Sequence, residues 1–134
     1  DKFDIEGGHV VPSLIAKFRS AELDGGKVSV WGDGSAQRDF MYVKDAARVA
    51  LTVMRELEGV VNMGSGSVWS IRQIVEALGR ITGLGDRVVW DASKPNGQAY
   101  RAYDLTRLAS TGFACRYPIE QGLQETWDWY RGQT

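Results

Sequence analysis

Nothing in this 134-residue chain approaches the run of about 20 apolar residues that a membrane-spanning helix requires. The residues before His9 hold neither the basic segment nor the apolar core of a secretory signal. The one cysteine, Cys115, excludes an internal disulfide. With a single histidine, His9, it forms no Cys/His set able to hold zinc, so no metal is expected. A lone thiol fits a reducing compartment, and the cytoplasm is the expected location. Net charge is −1 with no long basic run, which removes the usual grounds for a nucleic-acid or membrane partner. Repeats and low-complexity tracts are absent too. What remains has ordinary globular composition, 43% apolar and 25% charged, and is long enough for one buried core.

Periodicity predicts an α/β chain in which helices dominate. Val11, Leu14, Ile15 and Phe18 stripe a helix from about Pro12 to Glu22, with the proline tolerated in its first turn. Ala46, Ala47, Ala50, Val53, Met54 and Leu57 mark a second helix from about Val43. Ser70-x-x-Gln73 is a capping box, and Ile71, Ile74, Val75, Leu78 and Ile81 mark the helix after it, stopped by Gly83. Asp104 is placed to cap a short helix through Leu108, and Ile119, Leu123, Trp127 and Tyr130 stripe the last one. Strands are expected at Lys27–Trp31, Val60–Met63 and Arg87–Trp90, with extended chain from Gln37 to Val43.

The richest segment is Trp31-Gly-Asp-Gly-Ser-Ala-Gln-Arg-Asp-Phe-Met-Tyr-Val-Lys-Asp45. A strand ends at Trp31, Gly32 to Ser35 make the turn, and Arg38 then stands among apolar neighbours. A guanidinium there needs an anion, and a diphosphate suits its planar fork, while a base or sugar can lie on the Trp31 indole. The plainer alternative pairs Arg38 with Asp33 or Asp39 and buries Trp31.

Arg38-Asp-Phe-Met-Tyr-Val-Lys-Asp45 resembles the R-D-F-hydrophobic-aromatic-V-x-D signature of extended short-chain dehydrogenases, the sugar-nucleotide epimerase and dehydratase superfamily. His9-Val-Val-Pro12 followed by Lys17, and Asp91-Ala-Ser-Lys-Pro-Asn-Gly97, are similar in sequence and order to the H-V-I-P and D-A-S-K-P-D-G segments of its GDP-L-fucose synthase branch. The resemblance runs from Asp1 to the last helix. It implies an α/β substrate-binding portion from the C-terminal part of such an enzyme. Residues 1–42 and 84–134 would be substrate-domain-like, and residues 43–83 would return to a Rossmann sheet through one strand and flanking helices. It also implies His9 as a catalytic acid and Lys17, Trp31, Arg38 and Lys94 as substrate-binding residues. The expected partner is a nucleotide-diphosphate sugar, GDP-linked, and the cofactor of the whole enzyme is NADP or NAD.

Two family elements do not occur in the chain. There is no G-x-x-G-x-x-G turn between a strand and a helix, whose N–H groups would receive a cofactor pyrophosphate; Gly64-Ser-Gly66 comes nearest. No tyrosine has a lysine four residues on, so the pair that exchanges a proton with the substrate hydroxyl is missing. Gly97-Gln-Ala-Tyr-Arg101 also departs from the family's G-T-P-R-K, and the connection at Glu58-Gly59 is shorter. The expectations are therefore a truncated, processed or partially observed chain, inactive alone and without tight cofactor binding. Apolar faces on the helices from Val43 and Ser70 would then favour a homo-oligomer. Two further readings stay open, a free-standing non-catalytic nucleotide-binding module and a self-associating structural piece.

Overall fold

The computed structural model describes all 134 residues. Helix α1 (Val10–Asp24) leads to strand β1 (Val28–Trp31), β2 (Gln37–Asp39) and helix α2 (Val43–Glu56). Strand β3 (Val68–Ser70) runs directly into α3 (Ile71–Thr82), and a 3-10 turn at Gly85–Arg87 leads to β4 (Val88–Asp91). A short β5 (Tyr100–Arg101), α4 (Thr106–Ala109) and α5 (Ile119–Gln133) complete the chain. The strands form two small sheets: β1 parallel to β4, and the order β3-β2-β5, in which β2 is antiparallel to β3 and parallel to β5.

The core sits between the first sheet and three helices. Leu14, Ile15 and Phe18 of α1 meet Val28 and Val30 of β1, Ile74, Val75 and Leu78 of α3, and Leu123 and Trp127 of α5. Each such large side chain taken from water contributes roughly 1.5–3 kcal/mol. The capping box starts α3 as expected: the Gln73 N–H donates to Ser70 Oγ at 3.1 Å and the Ser70 N–H to Gln73 Oε1 at 2.8 Å. In β1 the alternation is strict, with Val28 and Val30 inward and Ser29 and Trp31 outward. Trp127 is buried on the core face of α5, whereas Trp129 is largely exposed and leans on Phe3 from the start of the chain.

Four expectations need correction. Val60–Met63 is not a strand: no strand pairs with it, Val60 is 90% exposed, and the carbonyls of Glu58 and Val60 accept from the Arg107 guanidinium. The extended run from Gln37 is a strand only to Asp39, because Val43 already begins α2. Strands β3 and β5, of three and two residues, escape periodicity because neither is long enough to show an alternation. Finally, the apolar face of α3 is covered by the chain's own core, so it offers nothing to a second copy.

Helix α2 is different. Val43, Leu51 and Met54 are exposed, and Val49 is its one buried apolar residue. It is tied down by polar contacts instead. The buried Asp45 carboxylate accepts from the backbone N–H groups of Arg116 and Tyr117, each at 3.0 Å, and from Arg48 Nη1 at 2.5 Å. Burial pushes this carboxyl up, but the Tyr117 and Arg116 N–H groups and Arg48 outweigh it and hold it below the usual aspartate value. Beside it, Glu125 of α5 accepts from Tyr42 Oη at 2.9 Å and Lys44 Nζ at 2.6 Å, which with Gln121 draw its carboxyl down to about 2.

Asp45→Ala strands two backbone N–H groups and the Arg48 charge, so urea unfolding should show a loss of about 3 kcal/mol. A loss under about 1 kcal/mol would mean that water readily replaces the carboxylate and that α2 has another anchor.

Candidate functional site

Because β1 and β4 run parallel in the register Trp31 to Asp91, their C-terminal ends open side by side into two loops. That edge of an α/β sheet is where ligands tend to bind. The Gly32 N–H donates to the Asp91 carbonyl at 2.8 Å, and the Asp33 N–H donates to Asn96 Oδ1 at the same distance. Gly32 has φ +77°, and a Cβ there would collide with Asn96 Oδ1, so no other residue closes this seam without strain. The second loop is braced internally: Asp91 Oδ1 accepts from the Ser93 N–H at 3.1 Å, and the Asp91 carbonyl from the Lys94 N–H at 3.2 Å.

The seam gathers three of the expected residues. Trp31 is 52% exposed, which excludes the core role weighed above. Lys94 Nζ from the second loop and Lys17 Nζ from α1 each lie 5.7 Å from the centroid of its ring. Neither ammonium has a carboxylate within ion-pair distance. Lys17 is half-buried, and burial alone lowers its pKa. The aspartates of the two loops are already engaged, Asp33 with Ser35 and Asp91 with Ser93, and these contacts hold both carboxyls below their ordinary range. The charge of Lys94 also helps to lower Asp91, whereas Lys17 has no carboxylate acting on it; the two ammonium groups on one exposed indole can together receive an anion attached to a flat ring.

Arg38 lies at the centre of the second sheet, half-buried and in no ion pair. Its Nη1 donates to the Gln37 carbonyl at 2.7 Å, and its Nη2 would be 3.7 Å from a Cβ on Gly97, in the loop that carries Lys94. The expected alternative partners are taken elsewhere. Asp39 accepts from the Ser65 N–H at 2.9 Å, Ser65 Oγ at 2.7 Å and the Gly66 N–H at 3.0 Å.

Those same contacts occupy the glycine turn. Gly64 to Gly66 is the segment nearest to a phosphate-binding turn, and two of its N–H groups already hold an internal carboxylate. This turn therefore does not fit an NADP pyrophosphate. His9 is not brought into the Lys17–Trp31–Lys94 group. It stands at the N-cap of α1 with its Nδ1 3.1 Å from Asp1 Oδ1, about 12 Å along the helix from Lys17 at 1.5 Å per residue. A separate cleft of about 330 Å³ is lined by Phe40, Tyr42, Ser65, Trp69, Cys115 and Ile119. Burial and the charge of Asp45 push the Cys115 thiol up, away from a reactive thiolate. Sequence reasoning missed Asn96, whose side chain joins the loops, since an asparagine in a turn carries no mark of a long-range partner.

The fold has a counterpart in known proteins. The family described as NAD dependent epimerase/dehydratase matches residues 2–65. A probable GDP-L-fucose synthase 1 of Oryza sativa subsp. japonica is 36% identical over 133 residues, covering 97% of this chain and 40% of that protein. The GDP-L-fucose synthase of Escherichia coli K12 is 32% identical, with 97% and 44% covered. Among solved structures, a GDP-L-fucose synthetase from Naegleria fowleri bound to NADP superposes with a TM-score of 0.91 at 29% identity, covering 99% of this chain and 43% of that one.

Over residues 2–65 the chain is similar to the NAD dependent epimerase/dehydratase family, the extended short-chain dehydrogenases. Within it, the chain is similar to GDP-L-fucose synthases over nearly all its own length and spans about 40–44% of theirs.

The platform makes a direct prediction for Lys17. By nitrogen-detected NMR its ammonium should titrate below the ordinary lysine value of 10.5, since burial disfavours the charged form. Adding inorganic pyrophosphate should move the midpoint upward, because an anion favours the ammonium. A midpoint that ignores pyrophosphate would show that Lys17 does not face the anion site.

Proposed function

We propose that this chain is the sugar-nucleotide-holding portion of an NADP-dependent nucleotide-sugar epimerase/reductase that takes a GDP-linked sugar. The observation that carries the reading is the pair of unpartnered ammonium groups, Lys17 and Lys94, on the exposed Trp31 ring. In this reading Lys17, Lys94 and Arg38 hold the diphosphate, and a ring of the ligand lies on Trp31. His9 acts as an acid on the sugar, from a position at the open end of α1 that only the far end of an extended ligand reaches. Residues 1–42 and 84–134 form the substrate-facing portion, and residues 43–83 the portion that returns to a dinucleotide-binding sheet. The names of the relatives support the ligand class. Hydride transfer then rests on residues outside this chain, since the chain carries neither the glycine turn nor the Tyr-x-x-x-Lys pair.

Arg38 is the discriminating residue. A bidentate guanidinium–phosphate contact contributes on the order of 1.5–3 kcal/mol, so Arg38→Lys should weaken GDP binding about tenfold or more in a calorimetric titration. Binding of guanosine, which has no phosphate, should scarcely change. If GDP binds Arg38→Lys and the original chain equally well, Arg38 is a structural residue and the diphosphate has been misplaced.

A further inference from the structure

We infer that Arg72, at the start of α3, is a positioning residue for the Trp31 platform: it clamps the turn that follows Trp31 against Trp90, and so fixes where the ring of a ligand can lie. This role rests on the reading of the site given above. Arg72 touches no ligand in it and acts through the backbone of Asp33 and Gly34.

The clamp follows from how α3 begins. The first four N–H groups of a helix have no partner within it. Here all four are engaged: Ser70 and Gln73 satisfy one another in the capping box, Ile71 donates to the Ala36 carbonyl at 2.9 Å, and Arg72 donates to the Gly34 carbonyl at 2.9 Å. This helix start therefore holds the turn and is closed to an anion. The Arg72 side chain adds to the grip. Its Nη2 donates to the Asp33 carbonyl, and its guanidinium lies 4.4 Å from the centroid of the Trp90 ring. One residue thus holds two consecutive carbonyls of the turn, one through its backbone and one through its side chain.

The turn is pressed between β4 and α3. At Gly34, whose φ is +79°, a Cβ would stand 2.5 Å from Trp90 Cη2 and 2.9 Å from Arg72 Cβ. The Asp33 N–H donates to Asn96 Oδ1, so the same residue is gripped at its N–H by the Lys94 loop and at its carbonyl by α3. Strand β1 is only four residues long, and Trp31 is its last, with the ring turned out to solvent. A strand end of that kind frays unless the residues beyond it are tied. No carboxylate is within ion-pair distance of Arg72, so the Asp33 carbonyl and the Trp90 indole are what hold its guanidinium. A planar guanidinium stacks on an indole and donates in its own plane at once, which a point-charge ammonium does less well.

The test is a double-mutant cycle on GDP affinity, read by calorimetric titration of the full chain, Arg72→Ala, Trp31→Ala and the double variant, with inorganic pyrophosphate titrated alongside. Arg72 is exposed and alanine favours a helix, so the helical circular dichroism should be retained. Trp31→Ala should weaken GDP about tenfold and Arg72→Ala about fivefold, since a displaced indole loses its stacking contact. In the Trp31→Ala background the Arg72 change should add less than about twofold, because the two residues act as one unit. Pyrophosphate has no ring to stack, so Arg72→Ala should weaken it less than about twofold. Arg72→Lys should fall between the original chain and Arg72→Ala on GDP. A loss in Arg72→Ala that persists without Trp31, or that is as large for pyrophosphate as for GDP, overturns the inference. Loss of the helical signal in Arg72→Ala also overturns it, since Arg72 would then serve folding. If Arg72→Ala binds GDP like the original chain while Trp31→Ala is weakened, the inference fails and the reading of the site stands. If Trp31→Ala binds GDP like the original chain, or the original chain binds neither GDP nor pyrophosphate, the inference and the reading of the site fail together.

Discussion

The parallel pairing of β1 with β4 is the constraint on which the rest of this structure depends. It joins residues some sixty positions apart in the chain and brings the ends of both strands to one edge. Its inner side, Val28 and Val30, belongs to the core with α1, α3 and α5. Its outer end presents Trp31 and the loop of Lys94. Burial on one side thus sets the geometry of a polar platform on the other. The seam at Gly32 and Asn96 carries that geometry from the strands into the loops, where backbone without regular pairing would otherwise be free to move.

The family signature from Arg38 to Asp45 divides its labour in a way that its letters do not reveal. Asp39 holds the Gly64–Gly66 turn and Asp45 holds the Arg116–Tyr117 backbone, so both acids are consumed by the fold. Arg38, between apolar and engaged neighbours, is the member left without a charged partner. A carboxylate that satisfies several N–H groups is worth keeping buried, whereas a half-buried guanidinium with open donors is poised for something outside the chain. Helix α2 shows the same economy of polar anchoring, with an apolar face left open to solvent. No helix of the chain is long and apolar enough to cross a membrane.

Much of this was legible beforehand where the signal is local. The α3 capping box, the α1 and α5 stripes and the β1 alternation depend on residues within a turn or two, and each element forms where its pattern lies. The failures share a cause. Val60–Met63 has strand-like residues but no neighbour to pair with, while β3 and β5 have neighbours but too few residues to show a period. Pairing is a long-range property, and a single sequence does not display it. In the same way Lys17, Trp31 and Lys94 were nameable from motifs, yet their meeting on one ring was not, and the isolation of His9 followed only from the direction of α1.

The central claim is that the Gly32–Asn96 seam builds the anion platform, rather than the mere presence of its charges. Gly32→Ala changes no charge, yet it sets a Cβ against Asn96 Oδ1 at a φ of +77° that alanine resists. The decisive measurement is the GDP affinity of this variant alongside its helical circular dichroism. The account predicts affinity reduced about tenfold or more with the helical signal retained, as expected when positioning rather than folding is lost. An affinity equal to that of the original chain, with the variant folded, would contradict it.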